Sequence, residues 1–313
     1  MNQVEVFLED GETVARLEND WLRVDVAPGI GGRITRIYHK GLGAEFLWRN
    51  RGLALQRSSP GDAYDPVFYG GIDEVIPGDM PETIDGLACP DHGELWTLPL
   101  EYRAIEAPRN RISVGEKDGL ELWGRLPRWG LGYHKQARLR PDCAALDLDY
   151  RITNESGQPR VFLWKLHAAA AIAPGDRIAC PAGLAVAADP QWARYKSERP
   201  FAWPTLEGMR ADVIPPPDGS TDFLFLYALE QGRVSLQRAA LKAALSIDFD
   251  PAVFPYVCYF ASYGGLDGHY TAVLEPCTAM PVSVNEAARL GQCSRLAPGE
   301  AISTRVSISI QVE

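Results

Sequence analysis

Three segments of the chain carry imidazole and carboxylate groups that could transfer protons. They span residues 69–96 with His92, residues 162–167 with His167, and residues 273–278 with Glu275. Histidine titrates near neutral pH, and a glutamate carboxylate accepts protons at that pH. Such a set performs general acid–base catalysis when the fold brings its members to one cavity.

The second segment, Phe162-Leu163-Trp164-Lys165-Leu166-His167, predicts a strand. Because side chains alternate along a strand, Lys165 and His167 share one face, whereas Phe162, Trp164 and Leu166 share the other. Burying the two polar groups without partners would cost about 1–3 kcal/mol each. They therefore face a polar cavity or a satisfied network, although a lone strand histidine is ordinarily structural and Lys165 could pair with a buried acid.

The other two segments allow a functional and a structural interpretation. If residues 92–96 are extended, His92, Glu94 and Trp96 share a face, which would group an imidazole, a carboxylate and an aromatic ring. Glu275 is a lone carboxylate at the end of an apolar stretch, and Pro276 ends or edges that strand. Alternatively, His92 lies in a turn, Trp96 in the core and Glu275 at an exposed strand end. The occurrence of all three segments in one chain favours function.

Alternating hydrophobicity predicts that antiparallel strands position these groups. Apolar residues occupy every second position at residues 146–152 and almost every second position at residues 302–312. Alternation of this kind is typical of a strand with one buried and one solvated face. Continuous apolar runs at residues 223–229 and 256–263 indicate strands covered on both faces. No strand–helix–strand rhythm occurs, so we predict an all-β fold, a large antiparallel β-sandwich, in one domain spanning residues 1–313.

Turn and helix signals are short. Residues 154–157, Asn-Glu-Ser-Gly, predict a hairpin from the strand at 146–152 to the apolar run at 161–164, and Lys117-Asp118-Gly119 predicts another from residues 112–114 to 120–122. The proline-rich residues 215–217 predict a loop. Residues 238–244 could form a helix, and residues 285–290 before Gly291 predict a brief one.

Composition excludes several classes of protein. Hydrophobic residues make up 46% of the 313 positions, which is too many for a disordered chain. The net charge is −10 and no five-residue run of Lys and Arg occurs, so we expect no nucleic-acid partner. Apolar runs such as residues 168–173 are far shorter than the roughly 18 residues of a membrane span. The six scattered cysteines and the acidic N-terminus predict free thiols in the cytoplasm.

Nucleotide, serine-hydrolase and metal motifs are absent from the sequence. There is no Gly-x-Ser-x-Gly segment and no Walker loop. Gly29-Ile30-Gly31-Gly32 precedes a strand pattern rather than a helix, which argues against a dinucleotide site. Cys89 and His92 have a metal-ligand spacing, but zinc needs about four ligands and no second clustered pair occurs. We therefore expect no dinucleotide and no metal, with a metal site kept as a minor alternative.

Taken in order, these segments resemble the aldose 1-epimerase (galactose mutarotase-like) family. Residues 91–96, Asp-His-Gly-Glu-Leu-Trp, resemble the segment with the family's first active-site histidine, and residues 163–167 resemble the strand with the second. Residues 274–278, Leu-Glu-Pro-Cys-Thr, resemble the strand with the catalytic glutamate. The opening Gly31-Gly32-Arg33-Ile34 and the closing residues 296–300 extend the likeness over nearly the whole chain.

The resemblance implies a supersandwich with few short helices and a sugar cleft across one concave sheet. It implies that Glu275 removes the proton of the anomeric hydroxyl, that His167 protonates the ring oxygen, and that His92 is a second ring-side hydrogen-bond partner. The ring opens, the C1–C2 bond rotates, and closure yields the other anomer. This reaction needs no cofactor and has a small-molecule sugar as its partner. We expect a cytoplasmic monomer or homodimer.

Departures from the family pattern alter sugar recognition. Better-studied galactose mutarotases carry an Asn-Arg pair before the first histidine, where this chain has Gly70-Gly71-Ile72-Asp73-Glu74. Neither galactose nor glucose is therefore assigned. The expected substrate contacts are Asp73, Glu94, Trp96 and Lys165.

Three alternatives remain open from the sequence. A phosphorylated sugar would need a basic pocket, for which Arg33 and Arg36 are available. A sugar-binding protein without catalysis could have the same fold. A lyase or hydrolase could use the carboxylates of Asp73, Glu74 and Glu94.

Overall fold

Strands dominate the structure, as the hydrophobic alternation predicts. The computed structural model describes residues 3–106, 117–196, 198–206 and 208–313. The described strands in the first half of the chain are β1 (Gln3–Glu9), β2 (Glu12–Glu18), β3 (Leu22–Ala27), β4 (Arg33–His39), β5 (Ala44–Glu45), β6 (Ile72–Val75), β7 (Glu82–Ile84), β8 (Leu87–Cys89), β9 (Glu101–Glu106), β10 (Lys117–Leu126), β11 (Leu131–Leu139) and β12 (Ala145–Asn154).

The second half continues the same pattern of short antiparallel strands. They are β13 (Arg160–Phe162), β14 (Lys165–Ala171), β15 (Arg177–Ala179), β16 (Ala182–Ala187), β17 (Phe201–Ala202), β18 (Thr205–Leu206), β19 (Met209–Arg210), β20 (Thr221–Leu229), β21 (Arg233–Arg238), β22 (Ala243–Phe249), β23 (Tyr256–Tyr263), β24 (Tyr270–Cys277), β25 (Ser294–Leu296) and β26 (Ala301–Val312).

Helical structure is sparse. The α-helix α1 covers Val284–Arg289, and the Ser283 hydroxyl caps its N-terminus by accepting from the Glu286 N–H. Single 3₁₀ turns occur at Asp65–Val67, Leu95–Thr97, Pro190–Trp192 and Ala239–Leu241. None of the helices in the described ranges is long and apolar enough to cross a membrane.

Two large sheets form a sandwich. The first has 12 strands in the order β1-β2-β3-β4-β6-β14-β24-β23-β20-β16-β17, with β5 attached to β4. The second has 8 strands in the order β15-β21-β22-β26-β12-β11-β10-β9. The pairings within the first sheet are antiparallel, for example β14 with β24 and β23 with β24. We call the 12-stranded sheet the site sheet, because the cavity described below lies on its outer face.

The apolar core lies between the two sheets. It includes Val24 and Ile37 from the site sheet and Leu122, Leu148 and Ile308 from the second sheet, all at most 1% exposed. Burial of this surface is the main stabilising contribution in such a fold.

A charged network crosses this apolar interface. The Lys135 ammonium on β11 donates to Glu74 Oε1 on β6 at 2.8 Å and to the Gly32 carbonyl at 2.8 Å. The Tyr150 hydroxyl also donates to Glu74 Oε1, at 2.6 Å. Because the Lys135 and Glu74 side chains are fully buried, each depends on these partners, and the network ties the two sheets together.

Most strand predictions are confirmed, and four local predictions differ. The predicted alternating runs form β12 and β26, and the helix predicted at residues 285–290 is α1. The predicted hairpin after β12 is wrong, because β13 pairs with β25 whereas β12 pairs with β11 and β26. Residues 238–244 form a tight connection between β21 and β22 rather than an α-helix. The turn predicted at Lys117-Asp118-Gly119 is wrong, because these residues begin β10, and the hairpin arm predicted at residues 112–114 lies outside the described residues. The single strand predicted at residues 162–167 is divided between the end of β13 and the start of β14.

Candidate active site

Five adjacent strands of the site sheet place one side chain each in a row on its outer face. The register sets His167 of β14 opposite Asp73 of β6, and continuation of the β14–β24 register sets His167 opposite Glu275. Glu275 in turn pairs with Cys258 of β23, which pairs with Phe225 of β20. Directly opposed residues have Cβ atoms about 4.5–5.5 Å apart. We call this set the polar row; it brings His167 and Glu275 together from positions far apart in the chain.

Lys165 reaches into the polar row from two positions earlier on β14. Its Nζ lies 2.6 Å from Asp79 Oδ2, 3.3 Å from Glu275 Oε2 and 3.5 Å from Cys258 Sγ. Burial alone lowers the pKa of Lys165, but the charge of Asp79 and further groups beside it outweigh burial, so this pKa lies well above its usual range. The side chain is therefore a permanent ammonium shared by two carboxylates.

The two carboxylates bound to Lys165 differ in their acidity. Burial raises the pKa of Glu275, and the opposing charge of Lys165 only partly offsets it, so the net pKa is raised. Burial also raises the pKa of Asp79, but Lys165 and His92 together reverse the effect and the net pKa is lowered. A proton arriving at this cluster therefore goes to Glu275 rather than to Asp79.

His92 lies on a turn of left-handed backbone. His92 has φ 53° and Gly93 has φ 76°, and a Cβ at Gly93 would overlap the Ile76 carbonyl. This turn holds His92 Nδ1 2.9 Å from Asp91 Oδ1 and stacks its ring on Tyr64 with centroids 3.9 Å apart. Burial lowers the pKa of His92, but the Asp91 hydrogen bond and nearby carboxylate charge outweigh it, so the net pKa is raised.

His167 has the opposite electrostatic environment. Its ring is perpendicular to that of His92, with centroids 5.8 Å apart. Burial, followed by the charges of His92 and Lys165, holds the pKa of His167 well below its usual range. The two shifts in pKa are therefore opposite, so the neutral ring is favoured at His167 and the protonated ring at His92.

A buried hydrogen-bond chain assigns the tautomer of His167. Arg33 Nε donates to Asp73 Oδ1 at 2.6 Å, and the Tyr64 hydroxyl donates to Asp73 Oδ2 at 2.7 Å. The same hydroxyl lies 3.4 Å from His167 Nδ1. Because the hydroxyl proton is already directed at Asp73, Tyr64 can only accept from Nδ1–H. Nε2 of the neutral ring then carries the free lone pair.

These groups line a cavity of about 310 Å³ on the outer face of the site sheet. This volume lies at the lower end of the range for small-molecule sites. Trp192 is 42% exposed at the cavity and follows Pro190 on a 3₁₀ turn. The lining residues are Tyr64, Asp65, Phe68, Asp79, Met80, Asp91, His92, Lys165, His167, Trp192, Phe223, Phe260, Leu266, Val273, Glu275 and Val282.

Four of the seven site residues expected from the sequence line this cavity, namely His92, His167, Glu275 and Lys165. Asp73 lies beneath it, where Arg33 and Tyr64 occupy its carboxylate oxygens. It therefore acts on the cavity through Tyr64 and His167 rather than by lining it.

Glu94 and Trp96 lie outside the cavity lining, because residues 92–97 are a turn followed by a 3₁₀ helix and not an extended segment. Glu94 accepts hydrogen bonds from the backbone N–H groups of Arg128 and Trp129 at 3.0 and 3.1 Å. Trp96 is 2% exposed and packs edge-on against Tyr64. The expected shared face of His92, Glu94 and Trp96 does not form.

The carboxylates considered for a lyase or hydrolase point in separate directions. Asp73 and Glu74 are consecutive residues of β6, so they face opposite sides of the site sheet. Glu74 is directed into the sandwich and binds Lys135, whereas Glu94 binds backbone N–H groups. They therefore do not form the facing pair that cleavage of a glycosidic bond needs.

The structure adds Asp79, Tyr64 and Trp192 to the site. Asp79 lies in the loop between β6 and β7 and neutralises Lys165. Tyr64 contacts both imidazole rings, and Trp192 forms part of the cavity wall. Of these three residues, only Asp79 had a signal in the sequence, because a buried Lys165 requires an acidic partner. Nothing in the spacing of residues 64 and 192 links them to the histidines.

A second depression of about 1030 Å³ adjoins the cavity at Asp65. It is lined by Arg36, Arg49 and His269 among others, and contains none of the predicted catalytic residues. Arg36 is engaged by Glu45 at 2.8 Å, and Arg49 by Glu9 at 2.9 Å. Among the described residues, no group of three or more His, Cys, Asp or Glu side chains has the arrangement of a metal site.

Comparison with solved structures identifies the fold. A protein from Synechocystis superposes with a TM-score of 0.73 at 18% identity, covering 98% of each chain. A galactose mutarotase-like protein from Clostridium acetobutylicum gives 0.72 at 12% identity, covering 100% of this chain and 99% of that one. Another from Lactobacillus casei gives 0.67 at 13% identity, covering 95% and 100%.

No protein-family model matches the chain. At these identities the likeness establishes architecture and leaves the chemistry to be argued from the residues of the cavity. The architecture agrees with the resemblance drawn from the ordered histidine and glutamate segments. The chain therefore has the fold of the galactose mutarotase-like proteins, as its resemblance to the aldose 1-epimerase family predicts.

Proposed function

We propose that the protein interconverts the anomers of a free aldose by acid–base opening and closing of the sugar ring. The observation that carries the proposal is the convergence of His92, His167 and Glu275 in one cavity of about 310 Å³. Mutarotase-like neighbours support a sugar as the ligand.

Glu275 is suited to take the proton of the anomeric hydroxyl. Burial raises its pKa above that of an ordinary glutamate, which makes its carboxylate a stronger base. The Lys165 ammonium at 3.3 Å offsets part of this rise in pKa because it stabilises the ionised carboxylate.

The charge distribution favours His92 as the proton donor to the ring oxygen. The resemblance assigns that role to His167, but a donor must be protonated, and the pKa of His167 is lowered whereas the pKa of His92 is raised. His167, with its proton on Nδ1, presents a lone pair at Nε2. In the proposal His167 therefore accepts a hydrogen bond from a sugar hydroxyl and positions the ring.

The proposed reaction balances without an external reactant. Glu275 removes the proton from the anomeric oxygen, and a carbonyl forms at C1 while the bond from C1 to the ring oxygen breaks. The electron pair of that bond passes to the ring oxygen, which takes the His92 proton. Rotation about C1–C2 and the reverse steps yield the other anomer, with Glu275 and His92 returned to their initial protonation states.

The test is the rate of anomer exchange measured by NMR over a panel of aldoses. We expect the native protein to accelerate exchange for at least one sugar, and Glu275→Gln to reduce that rate by about 100-fold to 10,000-fold. Glu286→Gln, which changes an exposed glutamate of α1, is the matched control and leaves the rate unchanged. Saturable sugar binding with no acceleration by the native protein would refute catalysis and favour the sugar-binding alternative.

A further inference from the structure

A second row of side chains lies beside the polar row on the outer face of the site sheet. Ala169 of β14 pairs with Val273 of β24, Val273 with Phe260 of β23, and Phe260 with Phe223 of β20. These positions are two residues along each strand from the polar row, so both rows lie on the outer face of the site sheet. Val273, Phe260 and Phe223 belong to the cavity lining. We call this set the apolar row.

The cavity thus has two unlike sides. The ionisable groups Lys165, His167 and Glu275 lie at the polar row, whereas the apolar row presents only hydrocarbon to a ligand. Phe223 and Phe260 remain half-buried, so their rings are available for contact. Leu266 and Val282 add further apolar surface to the lining.

This asymmetry constrains the sugar. A hydroxyl pressed against the apolar row loses its water and finds no partner, which costs about 1–3 kcal/mol. A methyl group at the same place gains from burial instead. A 6-deoxyhexose differs from its parent hexose by that exchange alone, because the hydroxymethyl group on C5 becomes a methyl group.

Charge disfavours acidic sugars. The cavity is lined by the carboxyl groups of Asp65, Asp79, Asp91 and Glu275, against the ammonium of Lys165 and the imidazole ring of His92. The ammonium is already shared by two of these carboxylates. A phosphate or carboxylate on the sugar would therefore meet excess negative charge.

We propose that the substrate is a neutral 6-deoxy aldose, bound with its C5 methyl group against the apolar row and its anomeric centre at the polar row. The identity of the reaction rests on the proposed function, whereas the preference for the methyl group rests on the two rows alone.

Matched sugar pairs test the preference. Binding by calorimetry and anomer exchange by NMR are measured for L-fucose against L-galactose, L-rhamnose against L-mannose, and D-quinovose against D-glucose. We expect at least one 6-deoxy sugar to bind about 10- to 100-fold more tightly than its parent, with a matching ratio in kcat/KM. Equal or tighter binding of every parent hexose, or no binding of any of the six sugars, would overturn the inference.

A variant tests the apolar row directly. Phe223→Tyr adds a hydroxyl at the end of a cavity-lining ring and should reduce the methyl preference by about threefold or more, since the parent hydroxyl then has a partner. Phe7→Tyr on β1, outside the cavity lining, is the matched control and leaves the preference unchanged. An unaltered preference in Phe223→Tyr, together with native stability, would contradict the assigned contact. Tighter binding of the 6-deoxy sugars without acceleration of anomer exchange would contradict the proposed function but would support this inference.

Discussion

The buried ammonium of Lys165 gives the sharpest test of the site's electrostatics. Lys165→Met keeps an unbranched side chain of similar length and removes the charge. Asp79 and Glu275 then lose the partner that lies 2.6 and 3.3 Å from them. Removing one member of a buried ion pair costs about 3–5 kcal/mol, because the remaining charge is left uncompensated. We expect a loss of that size in the free energy of unfolding at neutral pH.

The loss should depend on pH with a definite sign. Burial already raises the folded-state pKa of Glu275, and removal of Lys165 raises it further. A carboxyl whose folded pKa exceeds its unfolded value of about 4.3 favours the folded state below that value and loses this contribution as pH rises through the folded pKa. The Lys165→Met variant should therefore be most destabilised at about pH 8 and recover progressively toward about pH 5.

Urea unfolding of the native protein and the variant across this pH range measures the effect. Lys40→Met is the matched control, because Lys40 pairs with Glu18 at 2.8 Å but is about one-third exposed. An exposed pair of this kind contributes about 0–1 kcal/mol. We expect the control to lie within that range and to show no comparable trend with pH.

Two results would refute the reasoning. A destabilisation of Lys165→Met below about 1 kcal/mol at neutral pH would mean that the ammonium does not compensate two buried charges. A large destabilisation that stays constant across the pH range would mean that the loss comes from packing around the lysine stem and not from the carboxylates.

The remaining predictions concern single side chains around the cavity. Asp91→Asn removes the anionic partner that raises the pKa of His92. The alkaline limb of the pH profile of kcat/KM should therefore move to lower pH. An unmoved limb would exclude His92 as the proton donor to the ring oxygen. Glu94→Gln leaves one of two backbone N–H groups without an acceptor. It should therefore lower the free energy of unfolding by about 1–3 kcal/mol and leave KM unchanged. A raised KM at native stability would show that Glu94 contacts the substrate. Trp192→Ala should raise KM roughly threefold to tenfold with little change in the unfolding midpoint, because this exposed ring of the cavity wall offers an apolar surface to the sugar. An unchanged KM would mean that the ring does not contact the sugar.

Local patterning alone predicts much of the fold. Alternation at residues 146–152 and 302–312 identifies β12 and β26, and the apolar runs identify β20 and β23. The hairpin after β12 could not be read in this way, because the Asn154–Gly157 turn signal says where a strand ends and not which strand it joins. The partner of β13 is β25, more than 130 residues later in the chain.

The candidate site likewise has features that local sequence patterns predict and features that they do not. Lys165 and His167 share a face because the strand period of two is a local property, and that prediction is confirmed by their presence in one cavity. The prediction for Glu94 and Trp96 depended on an extended backbone, and the left-handed residues His92 and Gly93 turn the chain instead. That turn depends on the close approach of Gly93 to Ile76, which no pattern within residues 92–96 contains.

The sequence by itself therefore determined which side chains point away from the core and which residue types can move protons. Only the tertiary structure decided that His167 and Glu275 are neighbours, that Asp79 neutralises Lys165, and that an apolar row lies beside the polar one. The physical reason is the register of the site sheet. Period-two alternation sets the face of each side chain, but long-range strand pairing sets its neighbours, and both charge and shape in the cavity depend on those neighbours.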